Sequence, residues 1–300
     1  METGSNSIVQ MSHKIHLSLS IFDKASNRQN TKDYSLSIQV SLDGFSFCIL
    51  DTIRNKYCGI EKYDFQDVQS TRMLADAVQE IISNSDWLQN KYNSVKIAYE
   101  SQQMSLIPKP LFDKKHAADY LRFNHLPDDN DKINHDQLPN LDAVNVFALP
   151  GDLLSVLKKT FRGVPINHFS SALIENLLIR NKNIDEGHMI FANVRKQWLD
   201  IIVLNGSKLL FFNSFHYRAK EDFAYYLIYV MEQLGLNPEK AALVLLGEIL
   251  KTSDIYNIIF KYVRHVDFIK RSTDYAYSYI FDDIPEHFYY NLLNLQRCEL

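Results

Sequence analysis

The residues of this 300-residue chain that could do chemistry fall into small groups, and most groups are incomplete. Ser155 and Lys158 have the Ser-x-x-Lys spacing in which a lysine activates a serine for acyl transfer. That chemistry also needs a Ser-Asp-Asn or Lys-Thr-Gly partner, and neither occurs, so the pair reads as helix surface. His125, Asp128, Asp129, Asp131, His135 and Asp136 crowd into one stretch with the composition of a calcium loop. The required central glycine and late glutamate are missing, and the stretch reads as a solvated acidic loop between Pro127 and Pro139. Lys251-Thr252 has the end of a phosphate loop without its glycines. Only nine glycines occur, none closer to another than Gly151 is to Gly163, which excludes Walker A and G-x-G-x-x-G patterns. His188, His216 and His265 lack ligand spacing, and no metal site is expected. Arg195 and Lys196 form an adjacent cationic pair able to attract an anion.

Composition narrows the classes further. The net charge of −4 and pI near 6.2 lack the basic excess of a nucleic-acid binder. No apolar run approaches the length of a membrane span, and the first residues lack the charged-then-apolar order of a signal peptide. They read as a short disordered tail. Cys48, Cys58 and Cys298 are too few for a disulfide framework and read as free thiols of a cytoplasmic protein.

The elements that must hold these residues repeat. Ile15, Leu17, Leu19 and Ile21 alternate with polar residues, as in a half-buried strand. A three-stranded meander follows from Leu36 to Tyr63, with Asp43-Gly44 expected to supply a positive-φ hairpin turn. Leu74, Ala77, Val78, Ile81 and Ile82 have helical spacing, and "SVKIAYE" is a short strand. Residues 112–123 read as helix, "DAVNVFALP" as a buried strand, and "GDLLSVLKKTF" as a helix capped by Asp152. An extended "VPINHF" and a helix, "SSALIENLLIRN", precede a second meander. Its Asn205-Gly206 reads as a type I′ turn. Next come a helix with the stripe Phe223, Leu227, Val230, Met231 and Leu234, closed by Gly235, and the strand "AALVLLGEI" ending at Gly247. A helix, a strand, an aromatic segment and a last helix from Pro285 finish the chain. Ser35 and Met189, 154 residues apart, open corresponding strands. A meander leading into β-α-β crossovers makes a mixed sheet covered by helices.

That order, present twice, resembles the actin-like ATPase superfamily, with its duplicated ribonuclease-H-like domains. "VNVFALPGDLLSVLKKTFRGVPINHFSSALIENLL" is similar to the type IV pilus assembly proteins and the type II secretion L protein of that superfamily. "LDGFSF", "NVRKQWLDIIVLNGSKLLFFNSFHY" and "LVLLGEI" look like those of an uncharacterised bacterial family of the same fold. The resemblance implies an α/β protein of two ribonuclease-H-like subdomains, residues 12–181 and 187–300.

It also implies three places where active relatives hold ATP, all needing glycine for close backbone approach. At the first, Asp43 and Gly44 are adjacent rather than spaced, and the loop is too short to wrap a phosphate. At the second, Asn193 and Arg195 stand where the family has aspartate and glycine, beside Lys196. At the third, Gly247 is followed by Glu248 instead of a second glycine, and a carboxylate repels a triphosphate. The expectation is a degenerate cleft with no nucleotide or other cofactor, no catalytic residue and function through an unidentified protein partner. A nucleotide-binding ATPase or small-molecule kinase with degenerate loops is the alternative, and an anion-binding module using Arg195 and Lys196 is a third reading. Tyr275, Tyr277, Tyr279 and Phe281 alternate at period two; an extended segment puts all four rings on one face, against the protein's own helices or against a partner.

Overall fold

A computed structural model describes residues 14–184 and 187–300. The tail expected at the N-terminus lies outside the described residues, apart from Lys14. In chain order, strand β1 (Lys14–Phe22) precedes the meander β2 (Tyr34–Ser41), β3 (Gly44–Asp51) and β4 (Lys56–Gln66). Helix α1 (Thr71–Asn84) and strand β5 (Ser94–Tyr99) follow. An insertion then contributes β6 (Met104–Pro108), α2 (Ala117–Arg122), β7 (Lys132–Leu138), β8 (Ala143–Leu149) and α3 (Gly151–Thr160). Strand β9 (Ile166–His168) leads into α4 (Phe169–Arg180). The second meander is β10 (His188–Val194), β11 (Trp198–Asn205) and β12 (Lys208–His216), followed by α5 (Lys220–Gln233), β13 (Ala242–Gly247), α6 (Asp254–Ile259) and β14 (His265–Phe268). β15 (Ala276–Tyr277) and α7 (Tyr290–Leu293) close the chain.

Two mixed sheets have the same internal order. The first runs β4-β3-β2-β5-β9, with β1 added antiparallel outside β4; the second runs β12-β11-β10-β13-β14. In each, the meander is antiparallel and the crossover strands are parallel to its first strand. A small sheet, β6-β8-β7, belongs to the insertion. The helices form for local reasons. Ser70 Oγ accepts the Met73 amide at the start of α1, whose Leu74, Ala77, Val78, Ile81 and Ile82 are buried. α5 ends where Gly235 adopts φ +64° and the Leu236 amide returns to the Met231 carbonyl at 2.8 Å. α4 is buried from Phe169 to Leu178 on all sides, because it lies in a central core contacted by both sheets.

Several expectations need correction. The "acidic loop" contains β7, paired along its length with β8, so Asp136 is buried rather than solvated. Alternation there is masked by polar side chains that face other polar groups. Asp152 is not a cap: α3 starts after Pro150 without a side-chain bond to its first amides. The first hairpin turns at Leu42-Asp43, and neither Asp43 nor Gly44 has positive φ. Gly44 is needed for another reason, since a Cβ there would lie 2.4 Å from the Tyr63 carbonyl oxygen. In the second hairpin the turn residues are Gly206 and Ser207, with φ +57° at Gly206. The last helix is a single turn at Tyr290, not a run from Pro285.

The aromatic segment is not one extended face. Only Ala276 and Tyr277 are strand, pairing parallel with β4, and residues 279–281 form a 3-10 turn. Tyr277 stacks on Tyr57, whose ring Tyr275 meets edge-on, and Phe281 is fully buried. Tyr279 alone of the four is exposed, at 58%. The chain thus returns from its second sheet to its first. Tyr57 Oη donates to the Leu293 carbonyl at 2.6 Å, and Lys96 Nζ to that of Cys298 at 3.1 Å. The strands of the second large sheet lie between His188 and Phe268, and β15 with the final segment is seated on the first. All three cysteines are buried free thiols.

Candidate interdomain cleft

Strands that start on one edge and run parallel bring their C-terminal ends to one rim, where ligands of α/β sheets bind. The two repeated sheets present these rims to each other. Between them lies a cleft of about 460 Å³, lined by Asp43, Gly44, Asn193, Arg195, Lys196, Gly247 and Glu248. All seven positions singled out in the sequence are therefore brought together.

Their chemistry is mostly turned inward. Arg195 leaves the β10–β11 turn with its side chain about nine-tenths buried. Its Nε and Nη2 donate to the two Asp200 oxygens at 2.8 and 2.6 Å, a bidentate pair across the hairpin. Its Nη1 donates to Glu100 Oε1 at 2.9 Å, at the end of β5 in the opposite sheet. The guanidinium lies 4.7 Å from the Phe169 ring centroid. Asp200 also accepts from Asn193 Nδ2 at 2.8 Å and from Ser214 Oγ at 2.5 Å, and Glu100 from Gln39 Nε2 at 2.8 Å. Burial opposes the arginine's charge, but Asp200 and Glu100 reverse that and hold it above its usual pKa. Burial raises the pKa of Glu100, partly offset by Arg195. One cation thus pairs with buried carboxylates from both sheets, and it is not a free anion site.

The backbone donors that would face a phosphate are also occupied. Asp43 and Gly44 donate to Ser41 Oγ, each at 3.1 Å. The Arg195 amide donates to the Trp198 carbonyl at 2.9 Å, Gly247 to that of His287 at 3.0 Å, and Glu248 to that of Val194 at 3.1 Å. Gly247 has φ +88°, and a Cβ there would lie 2.2 Å from the Val194 oxygen. Its glycine lets β13 approach β10. Glu248 crosses the cleft mouth to Lys62, which also lies 3.4 Å from Asp64. Lys196 is exposed. Among the described residues no three His, Cys, Asp or Glu side chains are grouped to hold a metal ion.

A second polar cluster lies behind Phe169. His168 Nδ1 faces Ser170 Oγ at 2.6 Å and its Nε2 faces Ser101 Oγ at 3.2 Å. Asp136 accepts the His168 backbone amide at 2.7 Å and Asn167 Nδ2 at 2.8 Å. The carboxylate fixes the chain, not the ring, so the Ser-His-Asp composition is not a relay. Burial, with help from Arg195, lowers His168 to about 3 and burial raises Asp136 to about 6. Sequence reading missed Glu100, Asp200 and Lys62. The available signal was Asp200 itself, a carboxylate inside the apolar strand "WLDIIVL", five residues beyond an arginine across a hairpin.

Residues 23–266 match the family described as Protein of unknown function (DUF3822), and the chain belongs to that family. A solved protein of Bacteroides thetaiotaomicron, described as having an actin-like ATPase fold and unknown function, is 27% identical with a TM-score of 0.72. That likeness covers 81% of this chain and 93% of that one. A structure of the PilM-PilN type IV pilus biogenesis complex is 13% identical with a TM-score of 0.61, covering 88% of this chain and 98% of that one. No curated protein matches. The fold is that of the actin-like ATPases. No helix among the described residues is long and apolar enough to cross a membrane.

Proposed function

We propose that this member of a family of unknown function is a non-catalytic, cytoplasmic protein of actin-like fold that works through contacts with another protein. Its two subdomains, residues 12–181 and 187–300, derive in this reading from an internal duplication. The observation that carries it is Arg195, buried between Asp200 and Glu100 where a phosphate cradle would need open amides and glycine. An ATP phosphate entering there would meet Glu100 and Asp200 carboxylates already matched to one cation, and backbone amides already bonded. A fold shared with a subunit of the PilM-PilN complex accommodates a role in assembly.

One observation favours a second reading, nucleotide binding without the usual motifs: the cleft, at about 460 Å³, is within the range of small-molecule sites. Titration calorimetry with Mg²⁺-ATP separates the two. The expected result is no hydrolysis and affinity no better than about 1 mM. Micromolar binding that needs magnesium and vanishes in Asp43→Ala would establish the second reading instead.

A further inference from the structure

The two sheets differ at one edge. In the first, the third meander strand, β4, is covered by β1, an antiparallel strand of alternating apolar and polar residues. In the second, the equivalent strand β12 pairs with β11 alone among the described residues. Beyond a bulge at Leu210, residues Phe211 to His216 keep regular register with β11, so every second backbone amide and carbonyl points outward. One such donor shows its lack of a strand partner: the exposed Ser214 amide takes the side-chain oxygen of its own neighbour, Asn213, at 2.9 Å.

The side chains at this edge indicate what would fit. Phe211 and Phe215 stack with centroids 6.4 Å apart, Phe215 stacks on Tyr226 at 4.8 Å, and Tyr226 meets Tyr225 at 5.5 Å. Tyr225 then stacks on Tyr229 at 6.0 Å. The ladder leads from the open edge onto the outer face of α5, where Tyr225 is 63% exposed and Tyr229 45%. Lys208 and Arg218 flank the strand, both exposed, and no carboxylate occurs between Lys208 and Lys220; the next ones, Glu221 and Asp222, lie at the start of α5, where Asp222 accepts the Arg218 backbone amide at 2.9 Å. A second copy pairing antiparallel about Phe212 would set Lys208 beside His216 and offer that lysine no carboxylate.

We propose that β12 receives an extended segment of a partner protein as an added antiparallel strand, with alternate apolar residues lying on the aromatic ladder and carboxylates flanking it. This deepens the reading of the protein as one that acts through protein contacts and gives that reading a place. It is independent of the cleft, so ATP binding would overturn the previous proposal without touching this one, and failure here would leave the cleft argument standing.

The test uses the full chain and a fluorescein-labelled peptide in which isoleucine alternates with serine between paired aspartates, followed by fluorescence anisotropy. Saturable binding below about 100 µM is expected. Ser214→Pro removes an outward amide and no ladder bond, and should weaken binding at least ~10-fold. Ser214→Ala, which loses only the hydroxyl bond to Asp200, should bind like the parent. Lys208→Glu with Arg218→Glu should weaken binding by a similar factor, with unfolding midpoints of all variants recorded. No binding would overturn the proposal. So would loss with the charge variant but not with Ser214→Pro, which marks adsorption by charge alone. Self-association of the parent in sedimentation, abolished by Ser214→Pro, would replace the peptide with a second copy and also overturn it.

Discussion

The first turn of each meander faces the same cleft on the same strand order, yet the two satisfy their polar groups in opposite ways. The turn at Asp43 is partly exposed and closes on a single hydroxyl, Ser41 Oγ. The turn at Arg195 is held by a buried guanidinium, two carboxylates and a carboxamide from both sheets. Repeating a topology repeats where turns lie, not what they hold. The first turn leaves its carboxylate available to the cleft; the second has closed its charges on one another.

The largest expected effect comes from breaking that closed set. Arg195→Met leaves Asp200 and Glu100 buried without their cation and should lower stability by about 3–5 kcal/mol in denaturant unfolding. Asp43→Ala, at the corresponding turn, should stay within about 0.5 kcal/mol. Equal losses in the two variants would erase the contrast between the turns. Smaller but still large is Gly247→Ala. It combines a left-handed φ with a methyl 2.2 Å from the Val194 oxygen, and should lose about 2–3 kcal/mol. A neutral Gly247→Ala would mean that β13 and β10 have room at the cleft rim that the fold does not use.

The repeated sheets were legible in the sequence because period-two alternation and helical stripes survive wherever one face is buried and the other wet, as in Leu36, Ile38 and Val40 or Leu74, Val78 and Ile81. The seven cleft positions were singled out through the resemblance to the actin-like superfamily, whose phosphate-holding turns fall at these strand ends. What failed to show had no periodic signature. β7 alternates polar with polar, since Asp136 faces buried amides rather than an apolar core. Glu100 becomes a partner of Arg195 only after the two halves fold against each other, and nothing local marks a contact spanning 95 residues, whereas Asp200 is a local partner across the hairpin. The tyrosine segment keeps its strict alternation in sequence but bends after Tyr277, because Phe281 turns into the central core.

A pH series probes the cluster beside the second turn. His168 titrates near its ordinary 6.5 when unfolded but only near 3 in the fold, chiefly because it is buried. Its contribution is therefore full above about pH 6.5 and lost as pH falls toward 3. Asp136 runs the other way: burial raises it to about 6, so its contribution is full below about pH 4 and lost as pH rises through 6. Between pH 4 and 6 the two slopes oppose, and below pH 4 that of His168 remains. Stability should then fall by about 1.4 kcal/mol per pH unit from this residue, and His168→Gln should remove that part of the slope. A slope unchanged in the variant would place the acid sensitivity elsewhere.

The smallest effect concerns the second bridge between the sheets, Lys62 to Glu248. It spans the same cleft as Arg195 to Glu100, but Glu248 is 48% exposed at the mouth, whereas Glu100 is 9% exposed within it. Water screens the outer pair, and both side chains lose rotamer freedom to make it. A double-mutant cycle with Lys62→Met and Glu248→Gln should therefore give a coupling of about 0.2–1 kcal/mol. It should shrink as salt rises, since the distance over which exposed charges are screened falls from about 10 Å at 0.1 M to about 3 Å at 1 M. The inner pair should respond far less to salt, because no counterion reaches a guanidinium covered by Phe169 and Asp200. A coupling above about 2 kcal/mol, or one indifferent to salt, would mean that Lys62 and Glu248 seal the mouth as firmly as Arg195 seals the interior. Glu248 stands where the resemblance calls for a second glycine, and a weak, screened bridge there would contrast with the buried one that Arg195 makes inside the cleft.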